Sequence, residues 1–279
     1  MADPLLRITS IGRPVEPKYR TNLAILIVMA VVLVGAGALA IASGDGVGAA
    51  LLSGGHAMLL VFMVWAYGRE TAPDDNPAAF VAVALAAAGW VYGLRPDVLP
   101  LAALMGGTRI VNRTVGPTPK LSDMVIVTGL AAWITWTGNW PVGVAVAMAL
   151  MLDVRLAPRH AVAIPFAVIL VLATVATWWT TPPVFGLPTS AIGWAAIGVG
   201  AAYAVVLVTQ GPCDACTDVG GEALSPARVQ GGMAVALLAA LAMAGRGEEH
   251  VLAGAGLFAV LAGVALGRPR LWIRRRRSP

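Results

Sequence analysis

Residues 47–77 read VGAALLSGGHAMLLVFMVWAYGRETAPDDNP. The first 21 of them, 47–67, contain no Asp, Glu, Lys or Arg, and the last ten, GRETAPDDNP, contain Arg69, Glu70, Asp74 and Asp75. An α-helix needs about 20 apolar residues to cross the hydrocarbon core of a bilayer. The first part therefore reads as a membrane span and the second as the polar loop that follows it.

The same alternation runs through the chain. Ten apolar segments stand out, at 22–42, 47–67, 78–93, 98–115, 123–137, 140–156, 161–179, 190–209, 229–245 and 250–267. Only 12% of the 279 residues are charged and 58% are hydrophobic, against about 25% charged in a soluble domain. Glycine and alanine are abundant inside the segments, where small residues let helices approach closely in lipid. The expected fold is an all-α polytopic integral membrane protein with about ten transmembrane helices. Segment 98–115 is either a full span or re-entrant, because Pro100, Gly106 and Gly107 interrupt it before Arg109.

Charge orients the chain. With the N-terminus inside and ten crossings, 17 of the 19 Lys and Arg residues fall on the inner side, leaving Arg95 and Arg246 outside. That is the positive-inside pattern. Most tryptophans fall near predicted span ends, as interfacial anchors do. The expected organisation is a basic cytoplasmic segment (1–21), one transmembrane domain (22–267) and a basic cytoplasmic tail (268–279). The first twenty residues lack a signal-peptide core and cleavage site. The expected location is the inner (plasma) membrane, with both termini cytoplasmic. The basic ends suit an anionic leaflet and are a poor reading as a nucleic-acid surface. Two cysteines make no disulfide framework.

The predicted inner loops are GRETAPDDNP, 108–123 (TRIVNRTVGPTPKLSD), 153–160 (DVRLAPRH) and 210–230 (QGPCDACTDVGGEALSPARVQ). Together they hold seven basic and eight acidic residues. The positive-inside rule accounts for the bases and leaves the acids unexplained. Clustered carboxylates suit Mg²⁺, which bridges to phosphates, so Glu70, Asp74, Asp75, Asp214 and Asp218 are candidate metal ligands. Asp75-Asn76-Pro77 is equally a helix start, with Asp or Asn as cap and Pro in the first turn. Ionisable groups at membrane depth are functional candidates, which makes Glu70, Asp74 and Asp153 candidate catalytic acids. Arg113 or Arg109 is the expected partner of Asp153.

Arg69, Arg109, Asn112, Arg113, Lys120 and Arg228 are candidate substrate-binding residues, because arginine grips phosphate or carboxylate bidentately. For Arg109, an ion pair with Glu70 or Asp153 is the structural alternative. Ser122 or Asp123 is the expected cap of the helix after Gly116-Pro117-Thr118-Pro119. A lone CxxC, Cys213 and Cys216, reads more readily as two inert thiols than as half a zinc site. His56 reads as a neutral histidine bonded to a neighbouring helix, or as part of a polar pathway.

Acids after the second and sixth segments loosely resemble the topology of UbiA-type prenyltransferases. That resemblance implies a Mg²⁺-dependent enzyme acting on a phosphorylated or isoprenoid-diphosphate lipid. The NDxxDxxxD motif of that family is absent here. Length and span number are also similar to those of drug/metabolite transporters, which implies a carrier with an ion-pair gate. A membrane scaffold or assembly protein is the third expectation.

Overall fold

The computed structural model describes residues 8–186 and 188–277, with side chains described as far as Gly267. Arg7 and the side chains of Arg268, Arg270 and Arg274 to Arg277, which carry much of the terminal charge, lie outside the described residues. In chain order the helices are α1 (Arg20–Ala42), α2 (Val47–Thr71), α3 (Asn76–Val91), α4 (Val98–Asn112), α5 (Leu121–Trp136), α6 (Trp140–Arg155), α7 (Ala163–Thr180), α8 (Ala191–Val208), α9 (Pro226–Ala244), the short α10 (Glu248–Ala253) and α11 (Ala255–Arg277). The described residues form no strand beyond one isolated bridge between Cys216 and Ala223.

Five helices, α1, α2, α7, α8 and α9, are long and apolar enough to cross a membrane, and α3, α4, α5 and the apolar part of α11 are shorter apolar helices. Large apolar side chains stand outside the bundle: Leu52 is 78% exposed, Val34 70% and Leu172 62%. In water such a surface would aggregate; it marks a protein solvated by lipid.

Helices α4, α6 and α9 pack against one another at the centre. Their backbones approach because small residues lie at the crossings. Gly107 faces Val146 and Ala149 of α6, while Gly231 and Gly232 face Val111, Thr108 and Asn112 of α4. Dispersion and close backbone contact hold helices together in lipid, where burying an apolar face gains little. Helix α1 lies at the rim, packed along α2 and scarcely touching α3.

The connections sort into two ends. At one, Asp97 N–H donates to Ala253 O, Gly186 N–H to Gly245 O, and the Arg246 guanidinium to Gly138 O. At the other lie the loops at 72–75, 113–120, 156–162 and 209–225, with the N-terminal segment 8–19 bonded to the second and the last of them. Asp74 joins the first loop to the last, and Asp218 and Val219 N–H donate to Thr114 and Val115 O. This second end carries the acids and arginines and is called the charged end below.

Three sequence expectations need correction. GRETAPDDNP is mostly helical: α2 runs on through Arg69 and Glu70 to Thr71, and Asn76 already opens α3. Charge ends an apolar run, but Arg and Glu are good helix formers and do not end a helix. The segment at 250–267 is divided at Gly254 between α10 and α11. Neither Ser122 nor Asp123 caps α5. Lys120 is the cap position, and Asp123 reaches back to accept the Lys120 N–H at 3.0 Å. His56 is hydrogen-bonded across the bundle, close to expectation: its Nε2 is 2.9 Å from Pro96 O, just before α4, and its ring lies edge-on to Trp90.

Candidate functional site

The C-terminus of α4 is the hub of the charged end. Arg109, in its last turn, donates from Nε to Glu70 Oε1 (2.9 Å) and from Nη1 to Ile11 O (3.1 Å). The other oxygen of Glu70 accepts from Thr114 Oγ1 (2.7 Å), and Asn112 Nδ2 donates to the Glu70 backbone carbonyl (2.7 Å). Arg113 ends the helix in the left-handed region, with φ 52°, a conformation costing a non-glycine residue about 1–2 kcal/mol. That turn sends its guanidinium to Asp153 of α6, whose Oδ1 accepts from Nε (3.1 Å) and Nη2 (2.7 Å).

Asp153 is fully buried and has two further partners, Arg228 Nη1 at 2.9 Å and His160 Nδ1 at 3.0 Å. Arg228, in the first turn of α9, also donates to the carbonyls of Val111, Leu156, Ala157 and Pro158. One guanidinium thus caps the C-terminal ends of α4 and α6, where a cation complements the helix dipole and the unpaired carbonyls. Arg113 and Arg228 are consumed in this lock.

The remaining expected residues have local duties. Asp75 caps α3, its Oδ1 accepting Ala78 N–H at 3.2 Å, with Pro77 in the first turn. Asp74 Oδ1 accepts the N–H groups of Asp214 (3.0 Å) and Ala215 (2.8 Å) and the Cys213 thiol. The Lys120 N–H is bonded to Ser10 Oγ at 3.1 Å. The five acids expected to share Mg²⁺ are not gathered; among the described residues, no group of three or more His, Cys, Asp or Glu is placed to hold a metal ion. Both oxygens of Glu70 and of Asp153 already accept hydrogen bonds, so the residues present do not fit such an ion.

Both cysteines are free. Burial pushes the Cys213 thiol up to about 11, while Cys216 is exposed. A maleimide at neutral pH is therefore expected to label Cys216 and spare Cys213, read by mass spectrometry of the digested protein. Equal labelling would contradict the packing of Cys213 against Asp74.

Arg69 differs from its neighbours. It projects from the last turn of α2 into a cavity of about 370 Å³ lined by Gly12, Arg13, Glu16, Asn22 and Asp218. No carboxylate among the described residues lies within the 4.0 Å ion-pair distance of its guanidinium. It makes one long hydrogen bond, 3.3 Å to Asn22 Oδ1, and stacks on Trp65 with the guanidinium carbon 5.1 Å from the ring centroid. A smaller pocket that shares Arg13, Asn22 and Arg69 is lined by Trp65, Glu70 and Arg109 as well. Trp65 is 4% exposed, and its indole N–H has no acceptor among the described residues. The first turn of α1 forms another wall, and its N-cap residue Tyr19 supplies no side-chain acceptor. The cavity thus holds two arginines and two carboxylates, Asp218 paired with Arg13 and Glu16 with Lys18, which leaves Arg69 as the cation without a carboxylate in ion-pair reach among the described residues.

The cavity exists because the N-terminal segment folds back over the bundle. Thr9 Oγ1 and Ser10 Oγ donate to the two oxygens of Asp123, at 2.5 and 2.6 Å. Arg13 pairs with Asp218 at 2.5 Å. Burial raises the Asp218 carboxyl above its ordinary value, partly offset by Arg13. Gly116, with φ 117°, lets the α4–α5 turn meet the last loop; a Cβ there would lie 2.5 Å from Val219 O. Sequence reasoning placed Arg69 among the ligand-binding candidates but missed Arg13, Asn22 and Trp65. Arg13 reads as terminal positive charge and Trp65 as an interfacial anchor, and only the fold brings them to Arg69. Compared with known proteins, the chain matches no family model, no curated protein and no solved structure.

Proposed function

We propose that this protein is a multi-pass plasma-membrane protein that binds an anionic, phosphate-bearing ligand in the Arg69 cavity. In this reading α1 to α9 and α11 each cross the membrane. The segment 1–21, the charged end and the tail 268–279 then face the cytoplasm, as the bias of 17 of 19 basic residues to that side favours. The observation that carries the binding reading is that Arg69 has no carboxylate within ion-pair distance among the described residues. Around it, Arg13, Arg109, Arg113 and Arg228 each have a carboxylate partner. A half-buried cation without one gains most from an arriving anion, because the attraction is strong in a weakly polar surround. The start of α1 adds backbone donors of the kind that hold phosphate. The volume is near the lower end of ligand pockets, about 300–1,000 Å³, and suits a headgroup or small anion. Binding is favoured over acid–base chemistry because both oxygens of Glu70 and of Asp153 already accept hydrogen bonds.

Titration of the detergent-solubilised protein with pyrophosphate tests this. Arg69→Gln is expected to weaken binding at least about tenfold, the equivalent of about 1.4 kcal/mol, with an unchanged melting temperature. Absence of pyrophosphate binding to the wild type, or equal binding by the variant, would contradict the reading.

Asp218 supplies a second test with a defined sign. Its carboxyl is raised by burial, so the ionised form is the costly one in the fold, and that cost is present above its folded pKa and relieved below it. Asp218→Asn removes the cost and frees Arg13 from its pair. The expected result is tighter pyrophosphate binding at neutral pH without loss of stability; weaker binding would mean that Arg13 needs Asp218 to hold it in place.

A further inference from the structure

The cavity at Arg69 has a neighbour that bears on what its ligand is. Thr21, in the first turn of α1, lines the polar cavity on one side. On the other it lines an open groove whose remaining walls are Asn76, Pro77, Phe80, Val81 and Ala84 of α3. Pro77, Phe80, Val81 and Ala84 recur at helical spacing and share one face of α3. That face is apolar and lacks a helix over it, because α1 leans on α2 and scarcely touches α3. From Pro77 to Ala84 the groove runs about 10 Å along the helix, at 1.5 Å per residue, away from the charged end and into the bundle's apolar belt. A polar chamber holding a cation with no carboxylate in ion-pair reach therefore shares one wall, Thr21, with an apolar track.

We infer that the ligand is an amphiphile, a lipid phosphate whose headgroup sits against Arg69 and Trp65 and whose hydrocarbon chain leaves past Thr21 along α3. This rests on the anion-binding reading above and adds the chain. A free phosphate or diphosphate shares the headgroup chemistry but has no use for the groove. The groove alone would hold the tail of any bilayer lipid, and the cavity alone any small anion. Their junction selects a molecule that carries both parts.

The proposal separates from its parent reading by substituting at the groove. Ala84 is exposed on the α3 face, so Ala84→Phe fills the track without disturbing a packed side chain. The full-length protein in detergent is titrated with dioleoyl phosphatidic acid, with dioleoyl phosphatidylcholine and with pyrophosphate, bound species being counted by native mass spectrometry. The wild type is expected to retain phosphatidic acid at least tenfold better than phosphatidylcholine. Arg69→Gln is expected to lose phosphatidic acid and pyrophosphate alike. Ala84→Phe is expected to lose phosphatidic acid tenfold while binding pyrophosphate as the wild type does.

If Ala84→Phe binds phosphatidic acid as tightly as the wild type, or if phosphatidylcholine binds equally well, the amphiphile inference is overturned while the anion site stands. If Arg69→Gln changes the binding of neither phosphatidic acid nor pyrophosphate, the anion site itself fails.

Discussion

Asp153→Ala is expected to destabilise the protein by about 3–5 kcal/mol, the cost of removing one partner from a buried ion pair. The carboxylate is 0% exposed and answers two guanidiniums and an imidazole. Without it, Arg113 and Arg228 are left as two buried cations facing each other. The loss also spreads, because Arg228 holds the ends of α4 and α6 through Val111 O and Leu156 O. The melting temperature in detergent is the readout. Replacing Asp153, Arg113 and Arg228 together with apolar residues is expected to recover part of the loss, since an apolar substitute for a complete buried ion cluster is often neutral or better. An Asp153→Ala protein that melts with the wild type would show that the three charges are not in contact.

The second large effect concerns packing. Gly263 of α11 lies against α3, where a Cβ would stand 2.7 Å from Ala78 O, Ala82 Cβ and Ala82 N. Two of those atoms are backbone and cannot rotate aside. Gly263→Leu must therefore push α11 from α3, with a cost at or above the upper end of the about 1–3 kcal/mol usual for overpacking. Gly263→Ala is expected to cost less but still to lower the melting temperature. The displacement would also disturb the start of α3, since Gly267, one turn on, packs against Asp75 and Ala78. Wild-type melting by Gly263→Leu would mean the two helices are farther apart than described.

The parts of this structure legible in the sequence are those encoded locally or forced by membrane depth. Asp75-Asn76-Pro77 announces a helix start because cap and proline act within one turn, and Asp75 does cap α3. Asp153 was expected to pair with Arg109 or Arg113 because a carboxylate at the end of an apolar helix needs a nearby cation, and Glu70 was a named alternative for Arg109; Asp153 pairs with Arg113 and Glu70 with Arg109. The N-terminal segment was illegible. Its bonds to Asp123 and Asp218 span more than a hundred residues, and nothing in Thr9-Ser10 signals a distant carboxylate. The reach of Arg228 across four carbonyls was equally hidden, since backbone acceptors leave no mark in a sequence. Arg69 lay between the two cases. Its charge was visible, and its lack of a partner follows only from where every other acid goes.

Binding of arsenate, a phosphate analogue with its own anomalous signal, tests that last point most directly. In crystals of the full chain grown with arsenate, the arsenic peak is expected inside the cavity, within hydrogen-bonding reach of the Arg69 guanidinium. An empty cavity, with arsenate elsewhere on the protein or nowhere, would contradict the account.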